Sequence, residues 1–95
     1  MNKVSELYKN LTDERLILLL KDIQLAEETG SFSSDSEIRK LCKETSIVTG
    51  LDVSSNILMV QMGVFKEAGV RFMELKEQEY INSIGNKNLD INLNN

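Results

Sequence analysis

Few side chains in this 95-residue sequence could do covalent or acid–base chemistry. The candidate nucleophiles are the single cysteine, Cys42, and the serines of the stretch SFSSDS at residues 31–36. Either type needs a base beside it, and the sequence contains no histidine, which is the commonest general base and metal ligand. A lone cysteine on an apolar helical face is usually a small buried hydrophobe. We therefore expect no enzyme activity and no small-molecule substrate.

Acidic residues are close enough in sequence to raise the question of a calcium site. The candidates are Asp35, Glu37 and Asp52. Their spacing does not follow the alternating oxygen ligands and closing glutamate of an EF-hand loop. A glycine-rich phosphate-binding loop is also missing. The sequence predicts no metal and no cofactor.

Charge and cysteine content restrict the partners and the compartment. With 15 acidic and 11 basic residues the net charge is −4, which on average repels phosphate backbones. One cysteine cannot form an intramolecular disulfide, and no basic stretch followed by an apolar one opens the sequence. The longest apolar runs, 16–20 and 57–60, are far shorter than the ~20 residues of a membrane span. We expect a small acidic, cytoplasmic protein that is not in a membrane.

Helical periodicity and capping residues predict three short helices. A first helix is predicted over residues 3–10, and a second begins after a capping Thr12 and ends at Gly30. For the third, Ser34 and Glu37 form a predicted capping box, and Gly50 ends the helix. The predicted core-facing residues of the second and third helices are Leu16, Leu19, Leu20, Ile23, Ile38, Leu41, Cys42, Thr45 and Val48.

The stretch 54–84 contains no proline and is predicted as one long helix of ~47 Å at 1.5 Å per residue. Such a helix projects beyond a core of this size, so it either dimerises or breaks at Gly63 or Gly69. The fold class is therefore all-α, a small bundle of three to four helices with a long C-terminal helix. The alternative is α+β, with a hairpin at 57–75. Residues 1–84 form the predicted domain, followed by a polar tail at 85–95 that is disordered when unbound or adds a strand to a partner's sheet.

The stretch LTDERLILLLKDIQLAEETGSFSSDSEIRKLCKE, residues 11–44, resembles a family of small helical-hairpin proteins. These are the checkpoint proteins that inhibit sporulation histidine kinases in Gram-positive bacteria, which also open on an L-[ST]-D-E-x-L-I pattern. The resemblance covers about a third of the chain, and the connecting loop and the residues after Thr45 have no counterpart in that family. It implies a helical hairpin that inhibits a partner protein.

Apolar side chains are more numerous than one small core can enclose, which favours a homodimer or an obligate protein partner. Thioethers and aromatic rings repack easily on a binding surface. The predicted partner-binding residues are Met59, Met62, Phe65, Phe72, Met73, Leu18 and Leu25.

A helix-turn-helix is the alternative interpretation of residues 46–65. Ser46 and Gly50 have the spacing of the first helix and turn of that motif. However, no cation follows the turn until Lys66. In this hypothesis the residues that bind DNA are Ser54, Ser55 and Asn56 at base edges and Arg39, Lys40 and Lys43 on phosphates.

The sequence thus favours a non-enzymatic regulator, such as an inhibitor, that acts by binding a partner protein. The alternative is a small dimeric transcriptional regulator that binds DNA. Abundant Asn, Lys, Ile and Leu without Pro, Trp or His are typical of an AT-rich genome, such as that of a phage, a plasmid or another mobile element.

Overall fold

The computed structural model describes residues 3–87, and within that range all regular secondary structure is helical. In chain order the helices are α1 Lys3–Lys9, α2 Asp13–Thr29, α3 Glu37–Thr49 and α4 Val53–Lys87. The all-α prediction with a long C-terminal helix is confirmed. The alternative hairpin at 57–75 is wrong, because that stretch lies entirely within α4. The predicted tail at 85–95 begins inside α4, and its residues 88–95 lie outside the described part of the chain.

Local capping chemistry sets both ends of α2 where the sequence predicts them. The Thr12 hydroxyl accepts a hydrogen bond from the Arg15 backbone N–H at 3.1 Å. At the other end Gly30 has a φ of 95°, and its N–H donates to the Ala26 carbonyl at 2.7 Å. A left-handed conformation of this kind suits glycine because it has no Cβ.

The start of α3 differs from the prediction. Ser36, not Ser34, is the N-cap, and its hydroxyl accepts from the Arg39 N–H at 3.2 Å. The Glu37 N–H donates to the Asp22 carboxylate of α2 at 2.6 Å, so a contact between helices helps to define this N-terminus. The predicted Ser34–Glu37 capping box is therefore wrong.

The core lies where α2, α3 and the first half of α4 meet, with α1 packed on α3 and α4. Val48 was predicted to face inward but is 39% exposed, which corrects that prediction. The core-facing row of α3 ends at Thr45, one turn before the chain turns by 106° into α4. The buried apolar residues are Tyr8, Leu11, Leu16, Leu19, Ile38, Leu41, Cys42, Val60 and Val64.

Two arginines tie the helices together at the edge of this core. Arg15 on α2 donates to Glu37 at 3.1 Å and to Glu44 at 2.8 Å, both on α3. Arg71 on α4 reaches the end of α1 and donates to the Leu11 carbonyl at 2.7 Å. Multiple charged hydrogen bonds of this kind fix the orientation of the helices more than isolated surface ion pairs do.

The helix α4 is much longer than the core that supports it. Its 35 residues correspond to ~52 Å at 1.5 Å per residue, and the longest dimension of the molecule is 52 Å. The radius of gyration is 17.4 Å, against ~12 Å for a compact chain of this length. The helix does not break at Gly63 or Gly69, so the predicted break is wrong, because ~1 kcal/mol per glycine is offset by strong helix formers around it. Residues 72–83, which we call the overhang, are all exposed.

Candidate protein-binding surface

The buried face of α4 is a row of residues that we call the inner row: Asn56, Val60, Val64, Glu67 and Arg71. Val60 and Val64 are fully buried in the core. Asn56 is also fully buried, and its amide donates to the Ser46 hydroxyl at 3.0 Å, which joins α3 to α4 at the corner. The inner row therefore supports the fold.

The opposite face of α4 carries a second row, which we call the outer stripe: Leu58, Met62, Phe65, Gly69, Phe72 and Lys76. Its spacing alternates between four and three residues, which keeps all members on one side of a helix. The four large apolar side chains of the stripe are 52–66% exposed. Since a surface helix normally has one apolar face and one polar face, an apolar row opposite the core is typical of a binding surface.

One cation lies in the outer stripe, and it does not make the stripe polar. The Lys76 ammonium is 5.9 Å from the centroid of the Phe72 ring and 3.0 Å from the Glu79 carboxylate. Its methylene chain remains free to cover apolar surface, as lysine stems commonly do. The stripe is thus continuous from Leu58 to the overhang, where Met73 and Tyr80 flank it at 54% and 58% exposed.

The structure brings five of the seven predicted partner-binding residues to this surface. Met62, Phe65 and Phe72 belong to the outer stripe, and Met59 and Met73 lie beside it. The other two, Leu18 and Leu25, are exposed on α2, on the side away from its buried residues. Being seven residues apart, they share one face of α2 and form a separate apolar patch.

The sequence prediction missed several exposed apolar residues. Leu58, at 66% exposed, begins the outer stripe, and Ile47 on α3 is 85% exposed. Leu58 is neither a methionine nor an aromatic residue, the two types from which the prediction on α4 was made. Its spacing of four from Met62, seven from Phe65 and eleven from Gly69 was readable in the sequence.

The corner between α3 and α4 has part of the geometry of a helix-turn-helix. The two helices are related by a 106° bend across a short turn that contains Gly50, within the usual ~90–120° of that motif. Asp52 caps α4 by accepting from the Ser55 N–H at 2.8 Å, and this hydrogen bond lowers the pKa of the Asp52 carboxyl. An acidic cap at this position is unfavourable for an approaching phosphate.

The residues predicted for DNA binding are placed unevenly. Asn56 is buried and bonded to Ser46, so its predicted role at base edges is wrong. Lys40 is exposed but paired with Glu37 at 3.2 Å, and Arg39 is partly buried. Lys43, Ser54 and Ser55 are exposed.

A groove of about 730 Å³ lies between α1 and α4, and the arginine in its lining already has partners. Arg71 donates to Glu67 at 2.8 Å and to Asp13 at 2.8 Å on the walls of this groove. The Tyr8 hydroxyl is buried and has no hydrogen-bond partner, and burial raises the pKa of Tyr8. An arginine neutralised in this way holds the helices together. The charged side chains of the lining balance to a net charge of zero, with three cations and three anions: Lys9, Lys66, Arg71, Asp13, Glu67 and Glu74.

The candidate nucleophile Cys42 is fully buried in α3. Burial raises the pKa of its thiol, and the neighbouring Arg39 charge opposes this only in part. A buried thiol with a raised pKa is a poor nucleophile. Within residues 3–87 no group of three or more potential ligand side chains is placed to hold a metal ion.

Over the described part of the chain, no single helix is long and apolar enough to cross a membrane; α3 and α4 meet the length and composition criteria only as a pair bent by 106°. No family model, no curated protein and no solved structure matches this chain.

Proposed function

We propose that this chain is a small non-enzymatic regulatory protein of the cytoplasm that acts by binding another protein chain through the outer stripe of α4. The observation that carries the proposal is the exposure of Leu58, Met62, Phe65 and Phe72 on the side of α4 opposite its core. Removing apolar surface from water contributes roughly 25 cal/mol per Å², so a stripe of this length is a costly surface to leave uncovered.

The heptad-like spacing of the outer stripe fits a helix as the bound element. Side chains four and three residues apart insert between those of a facing helix, as in coiled coils and helix-in-groove complexes. The outer stripe covers the helix through which the partner binds. The chain therefore regulates its partner by occluding that helix. The methionine Met62 and the aromatic Phe65 and Phe72 supply the adaptable contact area that such surfaces use.

The test uses charge substitutions that leave the inner row intact. Met62→Lys and Phe65→Glu each place a charge in the middle of the outer stripe, while Ile47→Lys places one at an exposed apolar position on α3. The full chain and its variants are immobilised, exposed to a lysate of the source cells, and the captured proteins are quantified by mass spectrometry. Circular dichroism verifies that each variant is folded.

We expect the wild type and Ile47→Lys to capture the same protein, whether that protein is a different chain or a second copy of this one. Met62→Lys and Phe65→Glu are expected to lose at least tenfold of it, since a charge desolvated in an interface core costs several kcal/mol. Equal capture by all four folded proteins would reject the stripe as the binding surface.

The 106° corner favours a second candidate, a DNA-binding regulator that uses α3 and the start of α4. With Asn56 buried, phosphate contacts from Lys40 and Lys43 would supply most of its affinity. This candidate predicts duplex binding that weakens steeply with salt and is lost in the double variant Lys40→Ala, Lys43→Ala. Absence of binding to genomic fragments at low salt would reject it.

A further inference from the structure

The two glycines in the middle of α4 have different surroundings. A Cβ added at Gly63 would overlap the ring of Tyr8, so α1 requires a glycine there. A Cβ added at Gly69 would meet nothing within 4 Å, and Gly69 lies in the outer stripe. Glycine destabilises a helix interior relative to alanine. Within the described chain, therefore, no contact accounts for a glycine at position 69.

We propose that the outer stripe pairs with the outer stripe of a second copy of this chain, with the two α4 helices antiparallel and Phe65 of each copy over Gly69 of the other. This inference rests on the proposed function, because it names the occupant of the same surface. The glycine then has a role: it makes room for an aromatic ring from the second copy.

Setting Phe65 opposite Gly69 determines the rest of the register. In an antiparallel pair the residue numbers of the two helices run in opposite directions, so Met62 faces Phe72 and Leu58 faces Lys76. Thioether sulfurs make favourable contacts with aromatic rings, and a lysine stem covers a leucine while its ammonium reaches water. Every large apolar member of the stripe then faces a side chain or space that suits it.

A parallel pair in register is less complementary. It places Gly69 against Gly69 and leaves a gap, while the two copies of Phe65 compete for one layer. It also places Lys76 against Lys76, and like charges at facing positions destabilise such pairs. The antiparallel arrangement separates these lysines along the axis. The composition of the stripe thus favours the antiparallel pair.

The projecting α4 gives the chain more exposed surface than a compact monomer of the same mass. The structure exposes 6740 Å², while a compact monomer of 10.8 kDa exposes about 5,500 Å². The excess of about 1,200 Å² exceeds the ~800 Å² that each chain covers in an interface of standard size. The exposed surface is therefore large enough for a second copy to cover an interface of standard size.

The overhang supports the same partner. Beyond Arg71 the inner side of α4 carries Gln78 and Asn82, flanked by Leu75 and Ile81 at 59% and 57% exposed, so no residue of the overhang is buried on its own core. The outer side stays apolar through Phe72 and Tyr80. In the antiparallel register the overhang of each copy lies along the first turns of α4 of the other, where the core supports the helix. Each copy thereby covers the part of α4 that the core of the other copy leaves bare.

The first test is the solution mass of the full chain by sedimentation equilibrium across a dilution series. We expect the wild type and the control Ile47→Lys to sediment as two chains, and Phe65→Glu and Gly69→Leu to sediment as one. Circular dichroism verifies that the variants are helical, and Gly69→Leu serves if Phe65→Glu does not fold. A wild type that sediments as one chain at every concentration overturns the inference. If lysate capture is then still lost in Phe65→Glu, the proposed function stands; if it is not, both fail.

The second test measures the orientation of the pair. A nitroxide label is attached at Glu77→Cys, an exposed position beside the stripe, with the buried Cys42 replaced by alanine. In the antiparallel register position 77 lies ten residues from the centre of the pair, so the two labels are about 30 Å apart along the axis. We expect that distance by pulsed electron paramagnetic resonance. A distance shorter than about 20 Å means a parallel pair and overturns the register.

Discussion

The inner row and the outer stripe run along the same helix, yet the inner row is the more polar of the two apart from the buried Val60 and Val64. The inner row, which faces the core, contains the amide Asn56 and the ion pair between Glu67 and Arg71. The outer stripe, which faces solvent, is almost entirely apolar. The Asn56 amide N–H bonds to Ser46 at the corner, although its carbonyl oxygen has no partner, and Arg71 bonds to the end of α1. Apolar content alone therefore does not identify the face of a helix that packs against the core.

The largest difference between the two faces is expected for a carboxylate at adjacent positions at the start of α4. Asn56→Asp buries a charge beside Ser46 with no cation to pair it, at a cost of about 3–5 kcal/mol. Ser55→Asp adds the same group at an exposed position in the first helical turn. It loses the hydrogen bond from the Ser55 hydroxyl to Asp52, but water screens the two carboxylates, so its effect stays within about 1 kcal/mol. Urea unfolding at one protein concentration measures both.

The cost of Asn56→Asp also depends on pH with a definite sign. Burial raises the folded-state pKa of the new carboxyl above its unfolded value of about 3.9. The destabilisation is therefore present at neutral pH and disappears as the pH falls below about 4. Equal unfolding free energies for Asn56→Asp and Ser55→Asp at neutral pH would contradict the assignment of Asn56 to the buried face.

Alanine at the two central glycines of α4 is expected to act in opposite directions. Gly63→Ala pushes on the Tyr8 ring, and the ~1–3 kcal/mol of overpacking exceeds the ~1 kcal/mol gained in helix propensity. Gly69→Ala meets no obstacle in the single chain, so the dilute protein gains up to ~1 kcal/mol. Thermal melts of dilute samples test this pair, and destabilisation of the dilute chain by Gly69→Ala would show an internal contact at Gly69. At high concentration Gly69→Ala is expected to weaken the dimer.

The smallest effect is expected for the alkaline titration of Tyr8, because its ionisation does not change the stability at neutral pH. Burial, and then the charge of Cys42, raise the pKa of Tyr8 above its ordinary value of about 10. The stability from a neutral Tyr8 is complete below about pH 10 and is lost as the pH rises through the folded pKa. In Tyr80→Phe the phenolate absorbance reports Tyr8 alone, since the chain has two tyrosines. We expect its midpoint above 10 with loss of helix; a midpoint at 10 with unchanged helix would place Tyr8 at the surface.

Local signals predicted the parts of the fold that depend on neighbouring residues. Thr12 and Gly30 bound α2 as expected, because a cap needs only its own helical turn. The start of α3 was misplaced by two residues because Ser34 and Ser36 are both good caps. Where α3 begins, the Glu37 N–H donates a hydrogen bond to Asp22 on α2. The sequence around the start of α3 does not indicate this contact.

Contacts between distant residues limited the prediction of the surface. Gly63 and Gly69 look alike in sequence, and only the Tyr8 ring of α1 distinguishes them. Asn56 was predicted to be exposed because polar residues after a turn usually are, but the corner places it against Ser46. The apolar residues of the outer stripe were mostly identified, since their number already exceeded what a small core can enclose.

The most direct test of the outer stripe as an interface between two copies is amide hydrogen exchange along the overhang, residues 72–83. An unsupported helix of this length is marginal in water, so its amides should exchange fast when the chain is dilute. We predict strong protection at high concentration that is lost on dilution and absent at every concentration in Phe65→Glu, while residues 56–64 stay protected throughout. Fast exchange of the overhang at every concentration in the wild type would contradict the account.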